Sequence, residues 1–426
     1  MRYPEDFLHY LWQFKLFDLD SLQTVDAMPI QILKAGMPNK DSGPDFLNSK
    51  LHIGDTIWAG QVEIHLKSSD WLLHKHQLDA GYNNVILHVV FEHDKDVHTQ
   101  EGRLLPTLEL KGRIPDKLAT NYQNLLRNNN YFPCEKQIAS IDTFVVDGFL
   151  SRVLVERYLQ KSEELFDTLR QLNGNWDETF YHYIAKNFGF KVNALPMQML
   201  AQRIPQQWFA KLKNNSLQIE ALLFGQAGML SGNFDEVYPK ALQNEYRYLQ
   251  KKHQLVALEP GLWKFLRMRP QNFPSLRLAQ FAALIVKSNH LFSKVLELES
   301  SAELRNLFVD LPVHPYWSNH YHFHKTSANK SSQLGKSSID NILINTVVLF
   351  LFAYAQYTSQ EEYQYRAFRL LEHISAEQNS LLAHYADAGL KIENAYQSQA
   401  ILELHKRYCL PKRCLSCGIG LKILTQ

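Results

Sequence analysis

Between Phe46 and Phe91 the apolar residues recur with a period of two, whereas from about residue 140 onward they recur three and four apart. Alternate residues share a face in a strand, and residues three or four apart share one in a helix, so no single element type satisfies both halves. A chain patterned this way is expected to be α+β. An N-terminal mixed sheet with flanking helices would occupy residues 1–135. A large, mainly helical domain ending in a cysteine-rich segment would occupy 136–426. At 426 residues the chain is long enough for both.

Apolar groups at Phe7, Leu8, Leu11, Trp12 and Phe14 predict a helix over residues 5–17. The turn-rich stretch 38–44 precedes a hairpin of strands 46–53 and 57–67, joined through Gly54-Asp55. Residues 71–80 read as a short polar helix, and 85–91 as a central buried strand. A further strand over 104–111 is confined by Pro106 to an edge or a late start, and a helix over 115–127 follows. Helices are expected downstream over 144–173, 176–188, 216–224, 241–253, 277–287, 339–357, 361–374 and 392–408, among others.

Composition narrows the function classes. Hydrophobic residues make up 45% and charged residues 21%, which excludes a disordered or fibrous chain. Lys+Arg 45 against Asp+Glu 43 leaves a net charge of +2, so any attraction to nucleic acid must be local. The N-terminus opens with charge and proline, without the apolar core of a secretory signal. The most apolar run, Ile342 to Ala355, is shorter than the roughly 20 residues of a membrane span and reads as a buried core helix. Four cysteines in a chain this long do not make a disulfide scaffold. A cytoplasmic protein without a membrane partner is the expectation.

The segment richest in chemistry is the hairpin. Along its second strand Gln61, Glu63, His65 and Lys67 share one face, and Val62, Ile64 and Leu66 the other. Asp45 opens the partner strand, where pairing would bring it toward Glu63. Two carboxylates a few Å apart are what a divalent metal requires. A solvated polar face would show the same alternation.

This hairpin resembles the PD-(D/E)XK, or restriction-endonuclease-like, nucleases, in which a Pro-Asp on one strand and an acidic-x-Lys on the next hold a metal and activate a water. Pro44-Asp45 matches the first part and Glu63 the acidic position. His65 stands where the lysine would be, and Lys67 lies two residues further along the same face. The resemblance implies catalytic roles for Asp45, Glu63, His65 and Lys67, with Asp45, Glu63 and His65 as ligands to magnesium or manganese. An imidazole in that set shifts preference from magnesium toward manganese or zinc. Glu5 on the first helix would supply the family's helix-borne acid. His74 and His76, with a strand histidine, offer a different possibility: a zinc site of their own.

Three further features carry chemistry. Cys409, Cys414 and Cys417 crowd the C-terminus, and Cys134 is the only cysteine left to complete a four-thiolate set; the spacing suits Zn²⁺ and a [4Fe–4S] cluster equally. Lys251, Lys252, Arg267 and Arg269, interleaved with Tyr246, Tyr248, Trp263 and Phe265, could line a groove for a phosphate backbone, or simply form a solvated face. His320, His322 and His324 alternate in an aromatic-rich stretch that reads as a loop or short strand.

The chain as a whole is similar to an uncharacterised bacterial family, domain of unknown function 2851. The residues that carry the similarity are Gly43-Pro44-Asp45-Phe46, Val62-Glu63-Ile64-His65 with Ser69-Asp70-Trp71, Leu223-Phe224-Gly225-Gln226-Ala227-Gly228, Arg269-Pro270, Asn272-Phe273-Pro274 and the terminal cysteines. That family implies no activity. The residues themselves lead to a metal-dependent nuclease or a nuclease-derived protein bound to nucleic acid. The alternative is a non-catalytic helical scaffold for nucleic acid or a protein partner. Oligomeric state is left open.

Overall fold

The computed structural model describes residues 3–128, 130–212, 215–288, 290–328 and 330–426. The chain forms two compact units. The first comprises Met1–Phe149, His384–Leu390 and Leu404–Gln426, and the second Leu150–Ala383 and Lys391–Glu403. The sequence reading put its boundary after residue 135 and left the cysteine-rich terminus with the helices. By packing, the break falls after Phe149, and the terminus belongs to the first unit. Local periodicity carries no information about such a long-range return.

In the first unit, helix α1 (Glu5–Phe14) precedes strands β1 (Ile30–Lys34), β2 (Met37–Pro38), β3 (Phe46–Ile53) and β4 (Thr56–Lys67). A short helix α2 (Asp70–Leu73) leads to β5 (Val85–Glu92), and β6 (Thr107–Glu109) and α3 (Asp116–Arg127) follow. The sheet runs β1-β3-β4-β5-β6, with β2 also on β3. The β1–β3 and β3–β4 pairs are antiparallel, and β4–β5 and β5–β6 are parallel. The α+β reading therefore stands: a mixed sheet, then a mostly helical region. As Pro106 required, β6 is an edge strand that starts late, one residue after the proline. Strands β1 and β2 went unrecognised, because on an edge only Ile30 of the first is buried and neither shows a full alternation.

Two local distortions shape the sheet's polar face. Strand β3 bulges between Phe46 and Ser49, where Asn48 takes φ 57°. The extra residue changes the register from Ser49↔Gly60 to Phe46↔Val62, and continued by one step this sets Asp45 across from Glu63. The expected polar helix over 71–80 is the second departure. It stops at Leu73, Lys75 turns left-handed at φ 63°, and two 3₁₀ turns, His76–Leu78 and Ala80–Tyr82, replace it. A continuous helix there would set Asp79 on one face with His76 and Tyr82. The Asp79 side chain instead accepts from the Gly81 N–H (2.8 Å) and caps the second turn. Trp71, fully buried with Val85, Val97 and Leu105, pins this crossover to the sheet.

The second unit is built from helices where the 3.6-residue period placed them, including Trp176–Phe188, Ser216–Gln226, Val237–His253, Pro274–Lys287 and Glu361–Glu372. The stretches around Gly225 and Arg277 serve packing there. A Cβ on Gly225 would lie 2.0 Å from the Tyr246 ring, whose hydroxyl accepts from Gln226 Nε2 (2.8 Å). Arg277 is buried over the Phe190 ring and donates to Asn272, Gln280 and Ser338. The helix Lys336–Thr358 is long and apolar enough to cross a membrane by length and composition, and 72% of its apolar window is buried inside the protein. His320–His322 pairs with Lys325–Thr326 as a two-stranded ribbon, and His320 stacks on Tyr316 (3.9 Å).

Candidate metal centre on the acidic hairpin

Strand β4 carries Glu63 and His65 into the first unit on one face, at 4% and 1% exposure. The solvated-face alternative does not describe this pair. Asp45 approaches from the head of β3. Its N–H donates to Glu63 Oε2 (3.0 Å), while its own Oδ2 accepts from the Ile64 N–H (2.9 Å). This reciprocal clamp is a product of the bulged register. From α1, His9 Nε2 reaches to 3.3 Å from Asp45 Oδ2, and Glu5 lies within the electrostatic reach of Asp45 and Glu63.

The other oxygen of Glu63 faces histidines. Oε1 lies 3.3 Å from His76 Nε2 and 3.6 Å from His65 Nε2. His65 Nε2 is in turn 3.0 Å from His74 Nδ1, and His65 Nδ1 is 2.8 Å from His88 Nε2 on the neighbouring parallel strand. One nitrogen each from His65, His74 and His76 fall within 4.8 Å of one another. The left-handed step at Lys75 is what lets His74 and His76 both turn inward, and Tyr82 stacks on the His76 ring (3.9 Å) to hold it.

Burial governs the electrostatics. It lowers His65 to about 2, with His88, His74 and His76 adding to the shift, and lowers His88 to about 3. Both rings are therefore neutral, the form that ligates metal. Burial raises Glu63, and the charge of Asp45 adds to it, while His76 and the Asp45 N–H pull the other way. Burial likewise raises Glu5 to about 7. Burial lowers His9, but the nearby carboxylates of Asp45, Glu5 and Asp6 outweigh it and leave it raised. Several anionic and lone-pair groups thus share one partly buried space. His76 Nε2 and His9 Nε2 both lack a well-formed hydrogen bond there, and a divalent cation fits this donor set.

The structure thus brings Asp45, Glu63 and His65 together. It does not bring Lys67 to them: its ammonium is half exposed and lies 3.9 Å from Asp94 Oδ2, and its backbone N–H is held by Asp70. His9 and His88 were not singled out as site residues, since a histidine on a helix or a core strand has no local signature. His74 and His76 gather with the strand residue His65, as a histidine site would require, and His76 also reaches Glu63. Cys134, Cys409, Cys414 and Cys417 are all buried, unpaired as disulfides, and in the same unit. Lys251, Lys252, Arg267 and Arg269 are exposed in the second unit, with Lys252 over the Tyr248 ring.

No curated protein and no solved structure matches the chain. A family model does, across Glu5 of α1, the whole acidic hairpin and most of the helical region, stopping short of the cysteine segment. On that match over residues 5–380, the chain belongs to the family described as protein of unknown function DUF2851.

Proposed function

We propose that this protein is a metal-dependent phosphodiesterase that cleaves nucleic acid at the acidic hairpin. The observation that carries the reading is the pairing of Asp45 with Glu63 across β3 and β4, with His65 two residues along the same dry face. This is the arrangement the resemblance to PD-(D/E)XK nucleases calls for, with an imidazole in the lysine's place. The exposed Lys251, Lys252, Arg267 and Arg269 offer a phosphate-binding surface in the same chain.

Asp45, Glu63 and His65 would hold the metal, with His74 and His76 available from the crossover. When bound, a divalent cation acts as a Lewis acid and brings a water toward ionisation near neutral pH. The chain's own residues prepare that position. In the tautomer in which His65 Nδ1 donates to His88 Nε2, the His65 Nε2 lone pair turns toward Glu63 and His74. The Asp45 N–H orients Glu63, and the Ile64 N–H orients Asp45, so both carboxylates are fixed before substrate arrives. His65 is kept neutral by burial, so it cannot repel a cation. The nitrogen-rich donor set favours manganese or zinc over magnesium.

The test is cleavage of single- and double-stranded DNA and RNA with Mg²⁺, Mn²⁺ or Zn²⁺, comparing the wild type with Glu63→Gln. Cleavage that needs metal and is lost in the variant is the expected result. Metal-loaded, folded wild type that cuts none of the four substrates would refute the assignment.

A further inference from the structure

The four cysteines lie outside the acidic site, and nothing proposed for that site uses them. They arrive from separate stretches. Cys134 sits in the loop after α3, Cys409 ends a π-helical turn (His405–Cys409), Cys414 opens a 3₁₀ turn (Cys414–Ser416), and Cys417 caps the last helix (Gly418–Thr425). Every cysteine the chain has is in this group. All are at or below 9% exposure and none is in a disulfide. The Cys134 thiol lies in the field of the other three, and Cys409 in that of Cys414 and Cys417. Buried cysteine is common as a small apolar residue, but that role gives no reason for all four to gather in one unit.

The surroundings favour sulfur in its anionic form. The N–H groups of Ile419 and Gly420, at the start of the last helix, are directed at Cys417, where the helix dipole also favours negative charge. The Tyr385 hydroxyl, 3.1 Å from His405 Nδ1, acts on Cys409, and the Lys412 ammonium acts on Cys414. A cation among the four thiols would displace their protons to solvent and leave thiolates, the form these neighbours suit.

We propose that Cys134, Cys409, Cys414 and Cys417 form a four-thiolate metal centre, holding Zn²⁺ or an iron–sulfur cluster, that staples the C-terminal segment into the first unit. Four protein ligands leave no open position, so the centre is structural. What it staples is specific. The last helix packs on α3, where Asn121 Nδ2 donates to the Ile423 carbonyl (3.2 Å), and Lys412 Nζ donates to the Leu126 carbonyl at the end of α3. The 3₁₀ turn that begins at Cys414 packs against α1, the helix that carries Glu5 and His9. Tyr385, which acts on Cys409, stacks on Phe132 (3.9 Å), two residues from Cys134. The centre therefore ties the C-terminal segment to α1, to α3 and to the loop after it.

The test uses full-length protein purified anaerobically. Zinc, iron and acid-labile sulfide are quantified, and the metal's X-ray absorption spectrum is recorded in a Glu63→Gln/His74→Ala/His76→Ala background, which takes an anionic ligand and both crossover histidines from the acidic site and so keeps its metal out of the signal. About one zinc per chain with a sulfur-only shell near 2.3 Å is the expected result for zinc. Iron with matching sulfide and a visible charge-transfer band is the expected result for a cluster. A thiol-blocking mercurial is then added to the same protein, so that no cysteine variant needs to fold and the acidic site contributes no retained metal. Metal release in step with the blocking of four thiols, and faster hydrogen exchange over residues 404–426, supports the centre. Protein without zinc or iron, metal retained after all thiols are blocked, a first shell without sulfur, or unchanged exchange on release would each overturn it.

Discussion

Replacing Glu63 by glutamine should make the metal-free protein more stable and the metal-loaded protein less so. Glu63 is 4% exposed, its charge is opposed by burial and by Asp45, and its oxygens face the Asp45 N–H and His76 Nε2. A glutamine of the same shape keeps an acceptor for Asp45 and offers a donor to His76, while removing the buried charge. Neutral replacements of buried charge are commonly neutral to stabilising, so a gain of about 1 kcal/mol at pH 8 in chelator is expected. Metal reverses the order. Loss of a residue that merely orients a ligand weakens binding about 10–100-fold, so loss of an anionic ligand should cost about 100-fold or more. At a Mn²⁺ concentration about 100 times the wild-type dissociation constant, the wild type gains about 2.7 kcal/mol and the variant less than about 0.5. Urea unfolding of both proteins, with chelator and with Mn²⁺, reads the four values. The reasoning fails if Mn²⁺ stabilises both proteins equally or neither, or if the variant is the less stable one without metal.

Three other expectations concern the helical unit. Glu220 is buried, and burial raises it to about 7 against the bond from the Tyr238 hydroxyl. Because the folded-state value lies above the unfolded one, its contribution is fully present below about pH 4.5 and is lost as pH rises through about 7. Glu220→Gln should therefore remove a loss of up to about 3 kcal/mol between pH 4.5 and 8, and parallel stability–pH curves for the two proteins would contradict this. Gly225→Ala should cost about 1–3 kcal/mol, because its Cβ would meet the Tyr246 ring at 2.0 Å and displace the hydroxyl from Gln226; an unchanged melting temperature would show that the ring moves freely. Substituting Lys251, Lys252, Arg267 and Arg269 together by alanine should flatten the salt dependence of duplex DNA binding by about 3–4 in log–log slope, and an unchanged slope would locate the phosphate contacts elsewhere.

The hairpin was legible because its information is local. Period two assigns Glu63 and His65 to one face whatever surrounds the strand, and Pro44-Asp45 marks where its partner begins. The helical half was legible for the same reason, since apolar spacing of 3.6 residues fixes which side of each helix is buried. The 71–80 segment misled because its polar composition suits a helix, while Lys75 adopts a left-handed conformation that the interaction of His74 and His76 with β4 sustains. Lys67 misled because it shares a face with Glu63 yet lies past the end of the buried part of the strand, where Asp94 and solvent receive it.

Residue order alone determined the sheet-then-helix architecture, the carboxylate pair and the cysteine count, because each depends on spacing within one element or on composition. The tertiary structure decided the rest. The Asn48 bulge sets Asp45 against Glu63 instead of one residue off, which is a matter of strand register. The parallel neighbour β5 brings His88 to His65, which requires a crossover. The return of Leu404–Gln426 to the first unit unites Cys134 with the terminal cysteines. In all three cases the partners are distant in sequence, and only the packing of whole elements, driven by burial of their apolar faces, brings them into one neighbourhood.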